Sequence, residues 1–202
     1  MGDTTDRIGV YLAHPRAGSF NHALYDAVVA ELRGHGCDVR AHDLYAEGFP
    51  ALLTAEETGT VDAADAPADP KLALHRAEVA TLDALVLIHP NWWGMPPAVL
   101  TGWVQRVLAP GVAYKLGTAD GEPAGLLRAG RALVLNTSDT PEERERSEFG
   151  DPLQRIWAAC VLPYVGVTDV RRTVFRTVTD ASAPTRAAWL DRARAEAAAL
   201  LR

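Results

Sequence analysis

The chain has 202 residues, 48% of them hydrophobic and 23% charged, with a formal net charge of -6. That size and balance describe a single folded domain spanning residues 1–202 and exclude disordered, collagenous and coiled-coil chains. With 20 Lys and Arg against 26 Asp and Glu, there is no basic excess to neutralise a nucleic-acid backbone or an anionic membrane surface, so neither is an expected partner.

In chain order, Met1 to Arg7 is polar and acidic, unlike a secretory signal, and a cytoplasmic setting is expected. Ile8 to Ala13 reads as a strand, followed by a Pro/Gly/Ser loop and a helix whose Leu24, Val28 and Leu32 recur at i, i+4, i+8 before Gly34 and Gly36 stop it. Val39 to Leu44 is a second strand. From Leu44 to Pro70 the chain turns acidic, Ala-rich and broken by Gly48, Pro50, Gly59, Pro67 and Pro70, which reads as a long excursion, either a lid or dimer arm or a plain mobile loop.

A helix over Lys71 to Thr81 leads into Ala84 to Ile88, a continuous apolar run of the kind that forms a central strand covered on both faces. Pro96 and Pro97 open a helix carrying Val99, Leu100, Trp103, Val104 and Val107. Gly111 to Gly130 is turn-rich and suits a small hairpin. Ala132 to Leu135 is a further buried strand, Leu153 to Leu162 a helix and Val170 to Val178 a last strand. Ser182 and Pro184 start a terminal helix with Trp189, Ala193, Ala197 and Leu200 on one face. The longest apolar stretches, Ala84 to Ile88 and Trp157 to Val167, fall short of the roughly 20 residues that cross a bilayer. Cys37 and Cys160 have no metal-ligand or redox spacing and read as small buried apolar residues, and no metal is expected.

Alternating strands and helices imply right-handed crossovers and an α/β doubly wound sheet of about five parallel strands with helices on both faces. Ligands of such sheets sit beyond the carboxyl ends of the strands, which directs attention to three loops: His14 to Asn21, His89 to Pro97, and Asn136 to Glu143. The first lacks the G-x-G-x-x-G of a dinucleotide turn. The two lysines, Lys71 and Lys115, follow Pro70 and Tyr114, so there is no P-loop. No G-x-S-x-G elbow exists, and Ala13 and His14 stand where a phosphoacceptor receiver would carry acids.

The first loop places His14, Ser19 and Asn21 at a helix N-terminus, where free amides and the positive dipole end suit a phosphate. Ser19 or Asn21 acting simply as an N-cap is the alternative. The second loop, with Trp92 and Trp93 beside Gly94, Pro96 and Pro97, makes an aromatic ledge for a flat ring. Phosphate loop and ledge together suggest a flavin nucleotide.

The stretches HPRAGSFNHAL (His14 to Leu24), DLYAEGFP (Asp43 to Pro50), HPNWWGMPPAVLTGWVQRVLAPGVAY (His89 to Tyr114) and LNTSD (Leu135 to Asp139) resemble those of the flavodoxin-like NAD(P)H:quinone oxidoreductases. The resemblance implies that His14, Ser19, Phe20 and Asn21 hold the flavin phosphate side. Pro90, Asn91, Trp92, Trp93 and Gly94 would line the isoalloxazine. Asn136, Thr137 and Ser138 would address its pyrimidine edge, with Asp139 beside them, and the backbone of Thr137 and Ser138 would face the reduced ring. It further implies FAD ahead of FMN, NAD(P)H as reductant, ping-pong hydride transfer through N5 to a quinone or another flat aromatic acceptor, and a homodimer. A flavodoxin-like electron carrier or regulatory flavin-binding subunit is the second reading. The chain departs from the family where Asn136 to Glu143 replaces a Thr-Thr-Gly-Gly turn followed by Tyr and His, and no Tyr or His follows until Tyr164.

Overall fold

The structure, a computed structural model, describes residues 5–58, 69–116 and 123–201. The start of the polar N-terminal segment, the excursion from Gly59 through Pro67 and the tip of the predicted hairpin lie outside the described residues.

Five parallel strands, β1 (Arg7–Leu12), β2 (Asp38–Asp43), β3 (Ala84–Pro90), β6 (Arg131–Ser138) and β7 (Asp169–Arg176), form one sheet in the order β2-β1-β3-β6-β7. Two short strands, β4 (Tyr114–Lys115) and β5 (Ala124–Gly125), pair antiparallel as the base of the predicted hairpin. Every residue of β3 is buried: the unbroken apolar run Ala84 to Ile88 requires it, and the burial extends to His89 and Pro90.

Period-2 alternation sorts the strands onto two layers. Ile8, Val10, Leu12, Val86, Leu133 and Phe175 meet Leu24, Val28 and Leu32 of α1 (Phe20–Gly34) and Ala193 and Ala197 of α8 (Ala183–Ala199). Tyr11, Leu85, Leu87 and Val134 point the other way. They meet α3 (Pro70–Val79), α4 (Ala98–Val107) and the helical stretch 152–164, through Leu72, Trp103 and Trp157. The short α2 (Ala55–Thr58) lies in the described part of the excursion, its Glu57 bonded to Arg76 and Arg106. No helix among the described residues is long and apolar enough to cross a membrane.

Several boundaries differ from the sequence reading. Pro97 is the N-cap of α4 and does not lie in its first turn. The helix expected over Leu153 to Leu162 is composite: α6 (Pro152–Gln154), a π-helical stretch Arg155–Val161 and α7 (Leu162–Tyr164). Pro163 has no amide hydrogen to close an α-turn, and the ladder before it runs one residue wider. A further helix, α5 (Glu142–Arg144), continues into a π turn, Glu145–Phe149, that ends at Gly150 with φ 70°. The cysteines are less buried than expected: Cys37 is half-buried after α1, and Cys160 is exposed on the outer side of its helix.

Gly102 sits where α4 meets the excursion. A Cβ there would lie 2.1 Å from the carbonyl oxygen of Ala51, a backbone atom that cannot rotate away. Helix propensity alone favours Gly102→Ala by about 1 kcal/mol. The clash is the larger effect, so the variant is expected to lose about 2 kcal/mol net and roughly 4–8 °C in Tm. A rise in Tm by calorimetry would show that the loop at Ala51 yields freely.

Candidate functional site

The strand order reverses between β1 and β3, and a cleft of about 710 Å³ opens there beyond their carboxyl ends. His14, Ser19, Phe20 and Asn21 form one bank. Pro90, Asn91 and Trp92 form the floor, and Thr137, Ser138 and Asp139 the other bank. Trp93 and Gly94 face an adjoining cavity of about 480 Å³, which shares Asn91 and Thr140 with the cleft and adds Glu145, Phe149 and Pro152.

Asn136 is a correction to the sequence reading. It is fully buried and belongs to neither cavity wall: its Oδ1 accepts from Arg172 Nε at 2.6 Å and its Nδ2 reaches His89 Nε2 at 2.9 Å. The alternation Ala132, Val134, Asn136 puts its side chain under the 152–164 stretch, and that period was the available signal.

Ser19 is the N-cap of α1, accepting from His22 N at 3.4 Å, and it also lines the cleft. The first turn of α1 carries no acidic residue, so the dipole end stays uncompensated. Arg16 and Arg186, neither foreseen, bring guanidinium groups to the same cleft. Arg186 donates to Val178 O at 2.8 Å and lies 6.0 Å from the Phe20 ring, which itself packs on Phe175 and Trp189. The Val178 carbonyl therefore positions Arg186, with the Phe20 ring beside its guanidinium. Asn21 ties the banks together, donating to Thr137 Oγ1 at 2.9 Å. Burial lowers the pKa of His14, and Arg16 N donates to its Nδ1 at 3.1 Å, so the neutral ring presents Nε2–H as a donor.

The tryptophans are set by a tight turn. Trp92 and Met95 exchange backbone hydrogen bonds of 3.2 and 3.0 Å around Trp93 (φ 57°) and Gly94 (φ 73°), two successive left-handed residues. Glycine takes this conformation freely, whereas a tryptophan there costs roughly 1–2 kcal/mol. The turn leaves Trp93 97% exposed and Trp92 40% exposed, beside His14. Asn91 clamps it: Oδ1 accepts from Gly94 N at 3.0 Å, the backbone N–H donates to Thr137 O at 2.7 Å, and Nδ2 donates to Glu145 Oε1 at 2.7 Å. Glu145, 1% exposed, is also paired with Arg176. Sequence reading missed this acid because its partners lie 54 and 31 residues away.

Beneath the turn, His89 is buried without a counter-charge. Its Nδ1–H donates to Pro90 O at 2.8 Å and its Nε2 accepts from Trp157 Nε1 at 2.9 Å. Burial pulls its pKa down to about 4, so it is neutral.

Away from the cleft, ligand atoms of His42, Glu47 and His75 come within 4.8 Å of one another. Their protons are already placed. His42 donates to Glu47 at 2.8 Å and Glu78 at 2.7 Å, while Trp103 Nε1–H donates to His75 Nδ1 at 3.0 Å and so puts the His75 proton on Nε2, facing Glu47. A cation bound there would require a proton on Nδ1 against the indole N–H, so the donor set suits a proton-bridged cluster. Burial opposes charge on His42, but the bonds to Glu47 and Glu78 outweigh it and raise its pKa. Burial likewise opposes charge on Glu47, and His42 and His75 outweigh it, bringing that carboxyl to about 2.

A family model described as a flavodoxin-like fold matches residues 7–201. Human ribosyldihydronicotinamide dehydrogenase [quinone] is 30% identical over 169 residues, covering 75% of this chain and 72% of that protein. The chain belongs to the flavodoxin-like NAD(P)H:quinone oxidoreductases. A solved NAD(P)H:quinone oxidoreductase from Methanothermobacter marburgensis superposes with a TM-score of 0.84 at 26% identity, covering 98% of each chain. An FMN-dependent NADH-azoreductase from Bacillus anthracis, solved in complex with FMN, shares the fold with a TM-score of 0.71 at 12% identity, covering 98% of this chain and all of that one.

His89 and His42 predict opposite pH slopes. The folded pKa of His89 is depressed, so the unfolded chain binds more protons between pH 4 and 6.5, and stability is full above 6.5 and falls toward 4, by about 3 kcal/mol. The folded pKa of His42 is raised, so its contribution is present below 6.5 and is lost as pH rises through the raised value. Urea unfolding across pH should show His89→Gln flattening the acid limb and His42→Gln the alkaline limb. Limbs unchanged in both variants would refute the assignment.

Proposed function

We propose that the chain is a flavin-dependent NAD(P)H oxidoreductase acting on a quinone or a similarly flat, electron-poor acceptor. The observation that carries this is the shared cleft: an uncompensated helix N-terminus with two arginines at one end and a clamped tryptophan turn at the other. A bound flavin would supply two-electron chemistry, accepting hydride from the nicotinamide and passing it to the acceptor through N5.

The residues present fit that group. The α1 amides, Ser19, Arg16 and Arg186 would hold the phosphate, and Trp92, Trp93 and Pro90 would flank the ring system. Thr137, Ser138 and Asp139 stand where the pyrimidine edge would lie. Among the described residues no Tyr or His lines the bank after β6, so we assign charge stabilisation there to backbone dipoles. FMN becomes the preferred flavin over FAD, supported by the FMN complex of the azoreductase that shares this fold.

Donor and acceptor would use one open face beside Trp93 in turn, which is a ping-pong scheme. Trp93 and Phe149 line one cavity with Met95 in the adjoining turn, all three are strongly exposed apolar residues, and we propose that a second copy covers this region in a cytoplasmic homodimer.

The purified protein is expected to carry one flavin per chain, identified as FMN or FAD after acid release, and to bleach stoichiometrically with NADPH or NADH under anaerobic conditions. Initial-rate plots with a quinone should be parallel. Trp93→Ala should lower acceptor turnover by about tenfold, the worth of one stacking contact, with flavin retained. Protein that takes up no flavin refutes the reading, and reduction by a partner protein but not by NAD(P)H would mark an electron carrier.

A further inference from the structure

The cap of α1 contains a proton-bearing side chain that the cleft's direct contacts do not use. Ser19 Oγ lies 2.9 Å from His22 Nδ1, and His22 Nε2 lies 3.2 Å from Asp43 Oδ2. Asp43 ends β2, and its other oxygen accepts from Tyr45 N and Ala46 N, each at 3.1 Å, so the carboxylate is held in position.

The donors and acceptors can be counted. An ionised carboxylate only accepts, so Nε2 of His22 carries a proton in either charge state of the ring. In the neutral ring Nδ1 is a lone pair, and the 2.9 Å contact consumes the hydroxyl proton of Ser19. Ser19 then offers the cleft oxygen lone pairs, which repel an anion. In the imidazolium, Nδ1–H donates to Ser19 Oγ, and the hydroxyl proton is free to turn into the cleft.

We propose that His22 is a protonation-dependent positioning residue: a phosphate bound at the α1 N-terminus takes up one proton at His22, which releases the Ser19 hydroxyl to donate to it. Asp43 retains the resulting cation. The identity of the phosphate as that of a flavin rests on the function proposed above.

The charged and titratable groups around His22 come from three elements. Asp43 is the carboxylate bonded to His22, and Tyr25 on α1 lies within electrostatic reach of Asp43, Glu47, Arg33 and Asp26. From the β1–α1 loop come Arg16, a permanent cation, and His14, whose ring centroid is 6.2 Å away. Burial lowers the pKa of His14 and its Nδ1 accepts from Arg16 N, both of which oppose a second proton there.

The test is equilibrium binding of FMN and riboflavin to the flavin-free full chain, by fluorescence quenching, from about pH 6 to 8.5, where an imidazole exchanges its proton. The FMN phosphate titrates near pH 6 itself, so each profile is read against His22→Gln. By linkage, the ratio of FMN affinity at the acid end to that at the alkaline end should be about tenfold larger in the wild type than in the variant. Riboflavin, which has no phosphate, should show no such difference. Calorimetry in two buffers of different ionisation heat should detect proton uptake with FMN that is lost in His22→Gln and, as a second variant, in Ser19→Ala. Superimposable profiles in wild type and His22→Gln, or proton uptake that survives both substitutions, overturn the proposal and leave His22 a helix-capping neighbour. Failure of both FMN and riboflavin to bind at any pH instead removes the flavin reading, and this proposal with it.

Discussion

The position of β1 inside the sheet constrains most of the molecule. The first strand has β2 on one side and β3 on the other. Right-handed crossovers then put α1 on one face and α3 on the opposite face. The chain leaves β1 and β3 in opposite directions, and the ends of two adjacent strands cannot be covered by their own loops. A crevice is the geometric result, and the helix N-terminus and the aromatic turn face each other across it because each directly follows one of those strands.

That crevice is braced by polar side chains spent on the protein itself. Asn91 uses its backbone and both ends of its amide to join β6, the tryptophan turn and Glu145. Asn21 crosses to Thr137. Glu145 is nearly sealed from water, a costly place for a carboxylate unless its oxygens are satisfied, and Arg176 and Asn91 satisfy them. Such bracing suits a site that must keep a strained Trp93 in one conformation. Ser19, Arg16, Arg186 and Trp92 also line the cleft, and none of them takes part in this bracing.

Two buried imidazoles in the same protein carry opposite charge preferences. His89 sits among an indole N–H, an amide and a carbonyl, with no counter-charge, and remains neutral. His42 sits between two carboxylates and favours the cation. Burial is common to both, so the sign is decided by the formal charge of the hydrogen-bond partner. The partners that complete each pattern come from far along the chain: Glu78 is 36 residues from His42, and Trp157 is 68 residues from His89.

The sequence by itself determined the alternation of strands and helices, the apolar run Ala84 to Ile88 of β3, the stripe of α8, the helix start at Ser19 and the aromatic loop around Trp92 and Trp93. These are local or periodic properties: an apolar run, a 3.6-residue repeat, a capping hydroxyl, two tryptophans among glycine and prolines. Local pattern also located three loops at the strand ends, and most of the residues it singled out do meet at one cleft. Tertiary structure alone decided what each polar side chain does there. Asn136 turns inward to His89, Asn21 and Asn91 brace the walls, Glu145 arrives from a π turn, and His22 finds Asp43 at the end of another strand. The physical reason is that a hydrogen bond is chosen by whichever donor or acceptor stands within about 3 Å, and that neighbour comes from a distant part of the chain.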